Sequence, residues 1–218
     1  MGFIPYLIMI LSNVSPLPAI IAGRRYKGAL WYYVLVCITA DASSLVFKQL
    51  DKDHIIVSNL FFFTEFIIVS YYFISVLLYR KKLIVLIPLI LVGGFYIYHT
   101  IAGMLNYDTH SDVAYNYYGA SLFYITYIIF SLLSLFRVMQ KVDEVRLERS
   151  PLFLSSVAFL LYASGALFLL LFKDLIVQAD VRLFGNLWIY FFLPLNIIKN
   201  LLIAVSLHYA IVASRRAI

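Results

Sequence analysis

Three ionisable side chains fall inside long apolar stretches of the sequence: Asp41 in VLVCITADASSLVF, Glu65 in FFFTEFIIVS and Lys199 in LPLNIIKNLLIAV. A charge at the centre of a bilayer costs at least about 2.5–3.5 kcal/mol, so such residues turn inward and find partners. One ammonium and two carboxylates at compatible depth point to a buried ionic cluster, whose chemistry is the binding or exchange of an ion, a proton or a polar ligand. The neighbours fit. Asn196, Lys199 and Asn200 stand at i, i+3 and i+4, on one side of a helix. Ser58, Glu65 and Tyr72 repeat every seven residues, and Asn59 borders their stripe. Ser43 and Ser44 follow Asp41, while Asn13 and Ser15 lie in the first apolar stretch. The candidate ligand- or ion-binding residues are therefore Asp41, Asn59, Glu65, Asn196, Lys199 and Asn200. The plainer alternative is that they only fix helix register, since interhelical polar contacts contribute about 0.6 kcal/mol on average.

Other chemistry has little behind it. His54, His99, His110 and His208 show no paired ligand spacing, so no metal is expected. The single cysteine, Cys37, excludes an internal disulfide framework. No GxSxG, P-loop or HExxH motif is present, so neither a catalytic residue nor a cofactor is expected. Tyr71, Tyr72, Tyr124, Tyr127, Tyr162 and Tyr190 are candidates to line a pocket. Gly93-Gly94 and Ala163-Ser164-Gly165-Ala166 read as close-packing sites between helices.

The elements that must position these residues are membrane helices. The chain of 218 residues is 64% hydrophobic and 13% charged, against roughly half and a quarter for a soluble domain. Seven stretches approach the roughly 20 apolar residues that a spanning helix needs: 3–22, 28–48, 55–78, 83–103, 117–137, 152–173 and 185–210. The reading is an all-α, polytopic membrane protein, a single seven-helix bundle over residues 1–218. The first stretch precedes its basic residues, the reverse of a cleavable signal, and is read as the first span.

Alternate loops carry unequal charge. Twelve Lys and Arg gather on one side, among them Arg24, Arg25, Lys27, Arg80, Lys81 and Lys82; the other side holds four, with six aspartates. The positive-inside rule then puts the N-terminus outside and the C-terminus in the cytoplasm. The net charge of +6 is thus an orientation signal rather than a nucleic-acid footprint. At about 1.5 Å per residue, Glu65 lies roughly 15 Å and Lys199 about 20 Å below the outer surface. Pro194 cannot donate to the carbonyl of Tyr190, which predicts a break in the last helix just before Lys199.

Three short elements carry a family resemblance: Asn59 with Thr64-Glu65-Phe66, Ser150-Pro151-Leu152-Phe153 running into Leu161-Tyr162-Ala163-Ser164-Gly165, and Asn196-Ile197-Ile198-Lys199-Asn200. In these the chain resembles uncharacterised bacterial seven-helix membrane proteins, and is similar to the membrane sensing regions of sensor kinases. The resemblance implies a sensing role in the bacterial inner membrane without naming a ligand. No loop here is large enough to be a soluble output module, so signalling is expected through a separate cytoplasmic partner. The lipid bilayer is the other partner, and a homo-oligomer is compatible with the pattern. The alternative is a small-molecule or proton/ion-coupled transporter or channel. A third reading is a retinal-binding, opsin-like protein with Lys199 as attachment site and Glu65 or Asp41 as counter-ion. The only tryptophans, Trp31 and Trp188, stand near helix ends, where they would not sandwich a retinal ring.

Overall fold

The computed structural model describes residues 3–23, 28–49, 55–77, 82–105, 116–140 and 147–216, and among them no strand occurs. The helices are α1 (Phe3–Val14), α2 (Leu17–Gly23), α3 (Ala29–Gln49), α4 (Ile55–Leu77), α5 (Lys82–Leu105), α6 (Tyr117–Met139), α7 (Pro151–Ala179), α8 (Val181–Leu187) and α9 (Leu193–Arg216). Among the described residues, five segments are long and apolar enough to cross a membrane: Ser58–Leu77, Leu86–Gly103, Tyr117–Met139, Pro151–Ala179 and Val181–Ala213. They coincide with the third to seventh expected spans.

The first expected span is different: it runs as two helices, Phe3–Val14 and Leu17–Gly23, interrupted at Ser15-Pro16, because Pro16 and Pro18 have no N–H to continue the ladder. The chain restarts on the Pro16 carbonyl, which accepts from Ala19 and Ile20 at 3.1 and 3.2 Å. The second expected span, 28–48, corresponds to α3, one unbroken helix of 21 residues from Ala29 to Gln49. The polar break expected around Lys173 and Asp174 is also absent. α7 runs on as helix to Ala179, and the interruption is Asp180 alone, whose carboxylate accepts from the N–H of Arg182 at 2.8 Å and starts α8.

The helices close into a bundle. α3 packs on α4 and α2; α6 packs on α7 and α4; α7 packs on α9, and α9 returns to α1, α2 and α3. α5 lies on the flank, held by α4 and α6, and turns Leu86, Ile87, Ile90, Leu91, Ile101 and Leu105 outward. Comparable rows of exposed Ile, Leu and Phe cover α6 and α7. A water-facing surface rarely carries contiguous apolar area of this extent; lipid is the solvent that suits it.

Inside, aromatic rings fix the register between helices. Phe66 of α4 stacks on Phe123 of α6 at 4.0 Å, and Tyr96 of α5 stacks on the same ring at 4.5 Å. Such pairs contribute about 0.5–1.5 kcal/mol beyond their burial. Arg137 of α6 donates to the carbonyls of Val76 and Leu77 at 2.6 and 2.7 Å, satisfying the last turn of α4 with a cation where the helix dipole favours one.

The start of α6 is tied into the same core. Asn116 caps it by accepting from Gly119 N–H at 2.8 Å, and its amide donates to the Tyr96 carbonyl and to Thr100, both at 2.9 Å. A Cβ on Gly119 would lie 2.5 Å from the Tyr96 ring and 2.7–2.8 Å from the Asn116 amide. The ring is pinned by Phe123, so it has nowhere to move. Gly119→Ala is expected to destabilise the protein by about 1–3 kcal/mol through overpacking and loss of the cap. A thermal melt in detergent checks this, and an unchanged midpoint would show that the cap adapts freely.

Candidate functional site

α4 carries Glu65 into the interior with 1% of its surface exposed, and α9 carries Lys199 there with 3%. The register of α4 explains the first: Phe66, Val69 and Phe73 continue the buried face that Glu65 shares. The second depends on an irregular turn. Residues Trp188–Phe192 form a π turn, in which the N–H of Leu193 bonds to the carbonyl of Trp188 five residues back. Pro194 is the physical cause, because its ring excludes the ordinary bond to Tyr190, and the wider turn relieves the clash. The expected break thus takes the form of a π turn directly before the segment that presents Lys199.

Around Lys199 the partners are aromatic. Its ammonium stands 3.9 Å from the centroid of Tyr162 on α7 and 5.3 Å from that of Tyr33 on α3. A desolvated cation over a tyrosine face gains about 2 kcal/mol. The hydroxyl of the same Tyr33 donates to Glu65 Oε1 at 3.2 Å. Tyr33 therefore stands between the carboxylate and the ammonium, serving one with its O–H and the other with its ring. Tyr124 meets Tyr162 hydroxyl to hydroxyl at 3.5 Å, and Phe192, at the end of the π turn, packs on Tyr162 at 5.3 Å. The centre draws on α3, α4, α7 and α9, with α6 closing it through Tyr124.

The other expected site residues lie elsewhere. Asn196 donates to Ser12 at 3.0 Å and Asn200 to Ser15 at 2.8 Å, so these two asparagines fasten α9 to the end of α1 and the turn that follows it. Ser15 in turn donates to the carbonyl of Ser12 at 2.8 Å. Asn59 is buried about 9 Å along α4 from Glu65, where Tyr96 donates to its carbonyl at 3.1 Å and its side-chain oxygen at 3.3 Å. Asp41 belongs to α3, and its side chain lies outside the described residues.

Of the tyrosines expected to line a pocket, Tyr124, Tyr127 and Tyr162 are buried, and Tyr72 meets Ser155 of α7 at 2.6 Å. Tyr71 and Tyr190 face outward, as does Asn13. Tyr33, which links the two charges, is the residue that sequence reasoning missed. Its signal is the buried register it shares with Leu30, Val34 and Cys37.

Apolar outer faces around a charged and phenolic interior define the class, that of helical membrane proteins. Comparison of the chain with protein-family models, curated proteins and solved structures finds no match.

Proposed function

We propose that the protein is a membrane sensor, receptor-like in action, whose ligand exchanges with the contacts of Lys199 and Glu65. The single observation that carries this reading is Tyr33, held at once by the Glu65 carboxylate and under the Lys199 ammonium. A ligand that competes for either group has to displace a ring shared by α3, α4, α7 and α9. It thereby changes how those helices pack, and a ligand shifts such an equilibrium by its differential affinity for the two packings. The reading also carries seven spans, an outside N-terminus, the bacterial inner membrane, and a cytoplasmic partner that meets the basic loops. The likeness of the Thr64-Glu65-Phe66 and Asn196–Asn200 elements to sensor-kinase membrane regions supports it.

The test is ligand-dependent stabilisation of the purified protein across a panel of small polar and anionic compounds. A hit is expected to raise the melting midpoint, and the rise is expected to vanish in Lys199→Ala. A second reading, a proton- or ion-coupled carrier, is favoured by the burial of Glu65 and Lys199 in one core, with Tyr33 touching both. It predicts pH-dependent uptake into liposomes that Glu65→Gln abolishes; that result would replace the sensor with a transporter.

A further inference from the structure

The seven-residue step that leads from Glu65 to Tyr72 on α4 recurs on two other helices. On α9 the same step leads from Lys199 to Ser206, and on α7, which runs the opposite way, it leads from Tyr162 back to Ser155. Seven residues make about two turns and about 10 Å, so the two members of each pair share a helix face. Tyr72, Ser155 and Ser206 thus form a second layer beside that of Glu65, Tyr162 and Lys199, with Ser155 and Ser206 both at 0% exposure. The layer lies towards the end of the bundle where Arg137 closes α4, the cytoplasmic end by the distribution of Lys and Arg. In the opposite direction the same step reaches Ser58, Leu169 and Phe192, so on α7 and α9 the polar stripe runs one way only.

Hydrogen bonds close this second layer. Ser206 donates to the carbonyl of Pro151 at 2.8 Å, and Ser155 donates to the same carbonyl at 2.9 Å and to that of Leu152 at 3.1 Å. Ser155 has one hydroxyl proton, so in its 2.6 Å contact with Tyr72 the phenol is the donor. The first turn of α7 is thereby held from α4 and from α9. Directly before it stand the cap Ser150 and the short 3-10 turn Leu147–Arg149, whose Glu148 and Arg149 are exposed. Ser206 has a second acceptor in the Leu202 carbonyl, four residues back, which is the bond that Thr64, Thr126 and Ser164 make on their own helices. Breaking the bond between helices therefore strands neither group, because Pro151 keeps Ser155. The contact has two satisfied arrangements.

We propose that Ser206 and the Pro151 carbonyl form a latch that reports the state of the charged centre to the inner end of α7. A change that moves Lys199 off the Tyr162 ring alters the spacing of α9 from α7, and two turns of stiff helix carry it to Ser206. A bond of 2.8 Å is lost within about 1 Å of parting. Ser206 then turns back on α9, and the first turn of α7 loosens together with the 3-10 turn before it. That is the form in which a cytoplasmic partner meets the change. The latch deepens the sensor reading and rests on it for its purpose; its test uses no ligand, so the two can fail separately.

Hydrogen exchange of the full chain in lipid nanodiscs, read by mass spectrometry, follows the amides of Phe153 and Leu154, which bond to Ser150. The reference is Leu86–Gly103 of α5, which contributes to neither layer. Ser206→Ala is expected to speed exchange at Phe153 and Leu154 about tenfold, with α5 unchanged. Lys199→Met, two turns away, is expected to speed the same amides about threefold or more. In the Ser206→Ala background it should add nothing, because the bond it acts through is already gone. The proposal is overturned if either single variant leaves these amides at the wild-type rate, or if the two effects multiply. A rise shared equally by α5 overturns it too, since the whole bundle has then loosened. Should Lys199→Met not fold, Glu65→Gln takes its place under the same outcomes.

Discussion

Glu65→Leu is expected to lower the stability of the protein by about 3–5 kcal/mol, the loss that follows when one member of a buried charged group is removed and the rest is left behind. Two groups are stranded by the change. The Tyr33 hydroxyl loses the carboxylate it donates to, and the Lys199 ammonium keeps its rings without the carboxylate beyond one of them. Glu65→Gln retains an acceptor for Tyr33 and is expected to lose less. The decisive measurement is the double variant. Adding Lys199→Met to Glu65→Leu removes the stranded cation at nearly constant volume, and should recover about 1–3 kcal/mol, the coupling expected of residues in one network. Denaturant titration in micelles measures these variants together with Lys199→Met alone, which completes the cycle. Losses that simply add would mean that Tyr33 transmits nothing between the two charges.

The second large effect is expected at Gly165, where α7 meets Leu195 of α9. A Cβ there would overlap Leu195 Cδ1 and stand 3.4 Å from the ring of Phe191. Gly165→Ala forces the tip of Leu195 to rotate away, at about 1 kcal/mol, while Gly165→Leu has to part the helices and should cost about 3 kcal/mol. Leu195 lies one turn before Lys199, so a leucine at 165 also draws the ammonium off the Tyr162 ring. Two readouts are expected to fall together: the melting midpoint and any ligand-induced rise in it. Leu195→Ala in the Gly165→Ala background relieves the overlap and should restore the midpoint, which a long-range effect of the alanine would not allow.

The parts of the architecture that were legible in the sequence are those governed by sums over many residues. Hydropathy located the third to seventh apolar segments to within a few residues at most ends, and Pro194 announced an irregular turn before Lys199. Single-residue competition is where the reading failed. Lys173 and Asp174 look like a loop by charge, yet the helix continues through them because no proline or glycine breaks it before Asp180 and Lys173 lays its ammonium over the Tyr117 ring at 3.5 Å. The polar face of α9 looks single in the one-letter string. In three dimensions Asn196 and Asn200 turn to α1 while Lys199 turns to α7 and α3, since residues at i, i+3 and i+4 still span a wide arc. Tyr33 escapes notice for a simpler reason: its apolar register marks burial, but among 18 tyrosines register does not single out the ring that a distant lysine will use.

The hydrogen bonds from Asn196 to Ser12 and from Asn200 to Ser15 have a consequence for the order in which the molecule is made. Their partners are 184 and 185 residues apart. Contacts of such range form late and slowly, because the loop between them must first be closed. The opening helix pair, broken at Pro16, has its own polar groups waiting until α9 emerges. α9 is thus the template on which α1 and α2 are completed, and that pair becomes native only once α9 has been made.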